Sequence, residues 1–267
     1  MVEGIRIYGL IAAMWVRSLM AYRLSFALTT LGSAAGSFLD YVAILIMFAH
    51  VEALGGFSVA EVALLYATTS VSLGLAELLL GNLSGLGRRI RDGTLDALLV
   101  RPAPLFAQVA ADRFQLRRIG RIGQGLGVLV WAVTRLDLDW TVGRVLLLVT
   151  TVVAGAAIFC GIYTAGGAFQ FVAQDAAEVQ SSFTYGGNTL LQYPPTIFAR
   201  ELVRGVTFVV PLAFVNWLPT LRLLGRDDPL GLPGWVDFMS PVVAAVVCGI
   251  GALLWRAAVR SYRSTGS

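Results

Sequence analysis

The chain contains no lysine: all 20 of its basic residues are arginine. A P-loop holds nucleotide phosphates with a Gly-Lys-Ser/Thr run, so this chain carries no such ATP site. A Schiff-base lysine is excluded for the same reason. The single histidine, His50, rules out a His-cluster metal site. Cys160 and Cys248 are the only cysteines and both lie in apolar runs, where free cysteine packs as a small hydrophobe. They form no disulfide framework. Charge is scarce, at 13% of residues against roughly 25% in soluble domains. The sequence offers no Ser-His-Asp set, no convergent carboxylate pair and no metal-ligand spacing. Its first apolar stretch is interrupted by Arg6, Arg17 and Arg23, which does not suit a secretory signal peptide.

What is abundant is apolar. Of 267 residues, 57% are hydrophobic, and the mean hydropathy is +0.76. That places the chain among membrane proteins. A spanning helix needs roughly 20 mostly apolar residues. The sequence predicts an all-α integral membrane protein with six transmembrane helices, over 24–48, 57–80, 122–133, 145–172, 205–224 and 239–259. The third has only a short unbroken apolar core and must borrow residues on both sides. The fifth contains Pro211, Asn216 and Pro219, which predict a kinked or re-entrant outer half. Residues 5–22 predict an interfacial helix, with Tyr8, Trp15 and Tyr22 suited to the headgroup zone. The whole chain, 1–267, reads as one transmembrane domain: an interfacial helix at 1–23, an inner loop at 81–102 and an outer loop at 222–238.

Arginines orient the spans. With both termini inside, sixteen of the 20 arginines face the cytoplasm, Arg200 and Arg204 among them. Eight lie in the second-to-third loop, from Arg88 to Arg121. That loop holds a charged island, Arg88, Arg89, Arg91, Asp92, Thr94, Leu95, Asp96, Leu98 and Arg101, closed by Pro102. Gly93 interrupts it, and Thr94 is placed to cap a short helix carrying Leu95, Leu98 and Leu99. An amphipathic segment of this kind docks on protein grooves, and it also serves as a topology signal against anionic lipid. Asp40 falls inside the first span, while Glu61 and Glu77 fall near the ends of the second and read as interfacial. An intramembrane carboxylate often marks a pathway. Gly32-x-x-x-Gly36 and Gly123-x-x-x-Gly127 permit close helix packing. Gln192 to Phe198, with Pro194 and Pro195, reads as a rigid turn leading to the fifth span.

Two blocks carry a resemblance. The first is Gly81-Asn82-Leu83 with the run from Ile90 to Pro102. The second joins Tyr193-Pro194-Pro195-Thr196-Ile197-Phe198, the run from Val209 to Pro219, and Leu224-Gly225-Arg226. In this order and spacing the chain resembles the type-2 permease family of ABC transporters, in its six-span branch. The resemblance implies an interfacial connecting helix, a cytoplasmic coupling helix between spans two and three, and re-entrant segments between spans five and six. It implies no cofactor in this chain, because ATP and Mg would sit on a partner ATPase. The implied partners are an ABC ATPase subunit, two copies, a second permease chain, the same or related, and membrane lipid, with no nucleic acid. The implied place is the bacterial inner membrane, with both termini cytoplasmic. The cargo class is hydrophobic or amphipathic, exported as a drug, lipid or glycolipid. Arg88 to Arg101 would then touch the ATPase, and Asp40, Glu77, Pro211, Asn216 and Pro219 are candidates for the translocation pathway. A proton-coupled secondary carrier working through Asp40 is the alternative. It predicts transport by this chain alone.

Overall fold

A computed structural model describes residues 2–262, so Arg263, one of the arginines placed inside, lies outside the described residues. The described chain is helical and has no strand beyond an isolated bridge between Leu54 and Phe57. In order, the helices are α1 (Val2–Ala21), α2 (Arg23–Phe48), α3 (Val59–Leu80), α4 (Leu86–Arg91), α5 (Asp96–Leu99), α6 (Leu105–Ala111), α7 (Ile119–Arg135), α8 (Val142–Phe169), α9 (Ala177–Ser181), α10 (Gly187–Leu191), α11 (Arg200–Phe208), α12 (Trp217–Leu224) and α13 (Ser240–Ser261). A π-helical turn, Ser182–Gly186, joins α9 to α10 without a break in direction.

The axis of the bundle is α3. Between Glu61 and Glu77 it is apolar or small all round, and such a stretch has no face to give to solvent. Val62 to Ala67 are all fully buried. Its hydroxyls settle locally or across helices, as hydroxyls must where water is absent. Thr68 donates to the Leu64 carbonyl at 2.8 Å, and Ser72 donates to the carbonyls of Thr68 and Val152. Around α3 pack α7 and α8, with α2 against α7 and α13 against α8. Gly161 and Gly251 let the last pair touch, since a Cβ on Gly161 would meet Val247 Cγ1 at 2.7 Å.

The bundle has two ends. At one, Ser58 and Glu61 close a capping box on α3, and Arg226 makes two hydrogen bonds to Glu61, at 2.6 and 2.9 Å. At the other lie the charged island, the start of α2 and the end of α8. Both α1 and the end of α13 belong to this second end. Tyr8 donates to the Leu79 carbonyl at 2.9 Å and stacks edge-on to Phe114, while Tyr262 donates to Asp96 at 3.0 Å. Five helical stretches among the described residues are long and apolar enough to cross a membrane, α1 included. Yet from Tyr8 to Tyr22 the contacts of α1 stay at the one end, so it lies along the bundle end instead of crossing it.

Three expectations are corrected. The helical run following α8 is 177–191, not 205–224. Residues 205–224 instead form a hairpin, α11 and α12, whose second arm is buried from Leu212 to Leu221. Second, Thr196 donates to the Gly55 carbonyl at 2.8 Å, which puts Gln192 to Phe198 at the Glu61 end. The segment leading into Arg200 and Arg204 therefore lies opposite the charged island. The arginine bias survives, because the eight from Arg88 to Arg121 stay together. Third, Gly32, Gly36, Gly123 and Gly127 meet nothing on which a Cβ would press. The close approach of α2 and α7 occurs at Gly120, against the Thr30 carbonyl.

Candidate functional site

The charged island folds as α4, a turn and α5. Gly93, at φ +68°, reverses the chain where a side chain would be strained. Thr94 does not cap α5; its hydroxyl donates back to the Arg89 carbonyl at 3.3 Å and closes the turn. α5 is only four residues long, and its N-cap position, Leu95, has no side-chain cap. Leu86, Ile90, Leu95 and Leu98 are buried in the bundle. These leucines therefore anchor the segment and are not offered to a partner. What faces outward is Arg88, Arg91, Asp92, Thr94, Arg101 and three apolar residues, Ala97, Leu99 and Val100, the last 84% exposed.

The segment is tied to the bundle by uncharged side chains. Gln170, fully buried at the end of α8, accepts from the Gly87 N–H at 2.7 Å and donates to the Leu83 carbonyl at 3.1 Å and to Gln180 Oε1 at 2.9 Å. One amide thus holds α4, α8 and α9 together. Gln108 of α6 donates to the carbonyls of Leu98 and Ala103. Ion pairs reinforce the outside, Arg89 with Asp112 and Arg91 with Asp175. Aromatic rings fill the far side, where Trp255 stands edge-on to Phe106 and Phe171 at 5.1 and 5.6 Å. Burial and the facing Asp96 carboxylate hold the Tyr262 phenol above its ordinary range, so it remains a donor to Asp96 at physiological pH.

Glu77 lies about one turn before the end of α3. It is not interfacial: it is 2% exposed. Arg118 stands 3.2 Å from it and Arg121 3.7 Å. The Tyr185 hydroxyl donates to its Oε1 and accepts from Arg118 at 3.2 Å. Tyr185 sits in the π-helical turn, and such turns recur at functional positions. One carboxylate, two guanidiniums and a phenol thus join α3, the start of α7 and the run 177–191. Composition signalled none of this. The arginines read as loop charges, and only the burial of Glu77 brings them in.

The remaining candidates scatter. Asp40 is exposed on α2 and has no ion pair among the described residues. Asn216 is fully buried and donates to the carbonyls of Leu65 and Leu191 at 2.9 and 3.0 Å, fixing the hairpin to α3 and α10. Pro219 lies in the first turn of α12, where its missing N–H costs nothing, and edges a small cavity beside Leu147. Pro211 stands at the hairpin tip, on an apolar cavity of about 320 Å³ shared with Ile162, Phe183 and Val247.

A family model described as ABC-2 family transporter protein matches residues 35–266. The chain belongs to the ABC-2 family. α1 precedes that match, while the island, the Glu77 cluster, the hairpin and α13 all lie within it. Membership makes this ABC-2 chain a multi-pass membrane subunit of an ABC transporter, of a family that normally works with an ABC ATPase and typically has no ATPase site of its own. No curated protein and no solved structure matches it.

Proposed function

We propose that this chain is the permease of an exporter whose energy comes from ATP hydrolysed on a separate subunit, and that residues 88–101 receive the ATPase. The observation carrying this reading is the division of labour in the island. Its leucines grip the bundle while Arg88, Arg91, Asp92, Leu99, Val100 and Arg101 face outward. A surface of that kind, charged and rimmed with a few apolar side chains, suits a protein groove. In this reading α2, α3, α7, α8, 177–191 and α13 cross the bacterial inner membrane, α1 lies in the cytoplasmic interface, and both termini are cytoplasmic. The hairpin α11–α12 is re-entrant from outside. Two permease chains, the same or related, pair on two ATPases.

Movement at the island passes inward along two routes. Gln170 links α4 to α8 and α9, and Glu77 links the end of α3 to α7 and Tyr185. Pushing the island tilts both routes together, which is how a docked ATPase would drive alternating access. The cargo is hydrophobic or amphipathic, consistent with apolar walls such as those around Pro211.

The test is twofold. Expressed with its chromosomal neighbours and purified in mild detergent, the chain should co-elute with a stoichiometric Walker-A ATPase. Replacing Arg91, Asp92 and Asp96 together with alanine should abolish substrate-stimulated ATPase activity in a complex that still assembles. Recovery of the chain alone, with transport lost in Asp40→Asn, would move the reading to a proton-coupled carrier.

A further inference from the structure

We propose that the elbow between α1 and α2 binds a phosphate group carried by an anionic phospholipid. The elbow encloses a cavity of about 390 Å³ between the helix pair and the segment 113–117. Its polar wall is Ser18, Tyr22, Ser25, Arg113, Gln115 and Arg117. Apart from Thr29, whose hydroxyl donates to the Ser25 carbonyl, the rest is apolar, with Leu19, Phe26 and Phe114.

Charge at this place is one-sided. Arg113 and Arg117 are exposed and make no ion pair among the described residues. The adjacent Asp112 is already engaged by Arg89 and cannot neutralise them. Asp92 lies outside the wall of this cavity, in a neighbouring one that it lines with Arg88, Arg89 and Arg113. Arg17 and Arg23 flank the elbow on the helix side, also exposed and without an ion pair. Two guanidiniums therefore line the cavity beside its hydroxyl groups, with no carboxylate in its wall, and guanidinium forks match phosphate oxygens in shape as well as charge.

Arg113 is also the one non-glycine residue at positive φ among the described residues, at +51°. A bulky side chain held in that region is out of its ordinary range, and such outliers gather where a ligand is gripped. Gln115 accepts from Arg117 at 3.3 Å and so limits the reach of that guanidinium.

A free phosphate and a lipid headgroup offer the same anion. The lipid is favoured by what continues from the cavity. Leu24, Leu28 and Leu31 run along α2 from the elbow, 75%, 61% and 65% exposed, a strip on which acyl chains can lie. Basic pockets at the cytoplasmic side of membrane helices take anionic headgroups in this way. The proposal rests on α1 lying in the membrane interface and not on the ATPase contact, so the two readings fail separately.

Native mass spectrometry of the full chain from mild detergent tests it. Titration with 1-palmitoyl-2-oleoyl-phosphatidylglycerol should give saturable binding that the phosphatidylcholine analogue does not reproduce. The Arg113→Gln, Arg117→Gln double variant should bind phosphatidylglycerol about 30-fold more weakly, and Arg117→Gln alone about fivefold. The single change keeps the test open if the double variant folds poorly. Arg200→Gln with Arg204→Gln removes the same charge at the opposite end and should leave binding unchanged. Equal binding of both lipids, full affinity in the elbow variants, or an equal loss in the Arg200 and Arg204 variant would overturn the site. Displacement of phosphatidylglycerol by inorganic phosphate at equal concentration would overturn its assignment to lipid.

Discussion

Glu77 shows what one residue settles and what it hides. Read in the sequence, it is a carboxylate near a span end, and a carboxylate there ordinarily reaches for headgroups. The structure instead surrounds it with Arg118, Arg121 and Tyr185, because α7 begins with its two arginines facing α3. No local pattern reports which way a loop brings its charges back, so this site was illegible. Asp40 was legible as a lone charge on an apolar helix, and it stands exposed on α2 without an ion pair among the described residues. Removing one partner from a buried ion pair strands the other, at a cost of about 3–5 kcal/mol. Glu77→Gln is expected at the low end, about 3 kcal/mol, because the two arginines are partly exposed. Arg118→Gln should cost less, since Arg121 still faces the carboxylate. Unfolding in mixed dodecyl maltoside and dodecyl sulfate micelles measures both. A Glu77→Gln protein as stable as the parent would show that the cluster does not hold the helices.

At the scale of elements, periodicity and length were enough for α2, α3, α8 and α13, and the scarcity of charge elsewhere was enough to mark the island between α3 and α7. The error lay in the fifth span, for a physical reason. Residues 177–191 include Gln180, Ser181, Ser182, Thr184 and Asn188, so they do not read as apolar. Several of these polar groups are nevertheless met inside the bundle: Gln180 accepts from Gln170, and Thr69 donates to Asn188. Residues 212–221 are apolar because they are buried in protein, and Pro211 and Pro219 forbid a straight crossing. Hydropathy reports apolarity, which lipid and a protein core demand alike. The island's attachment carries its own prediction. A Cβ on Gly87 would collide with the Gln174 carbonyl, while one on Gly85 would meet nothing within 4 Å. Gly87→Ala should cost about 2 kcal/mol, as overpacking does, and should lower stimulated ATPase activity. Gly85→Ala should change neither, and thermal unfolding of the two side by side makes the comparison.

For the whole molecule, the decisive quantity is which end faces which side. The Thr196–Gly55 contact separates Arg200 from the island. In a background with Cys160 and Cys248 replaced by alanine, a cysteine at position 200 should react with a membrane-impermeant maleimide on intact cells. A cysteine at position 100, where Val100 is 84% exposed, should react only after the membrane is opened. Labelling of both from one side would break the topology. The π-helical turn at Ser182–Gly186 adds a consequence for motion. It stores one residue more than an α-helix needs. Slipping that residue back into α register would rotate one half of 177–191 against the other by about 100° and shift it by about 1.5 Å. The rotation would swing Tyr185 off Glu77 while leaving Gln170 and its backbone partners in place. Were the run 177–191 to change register in this way, the hydrogen bond from the Tyr185 phenol to Glu77 would report it.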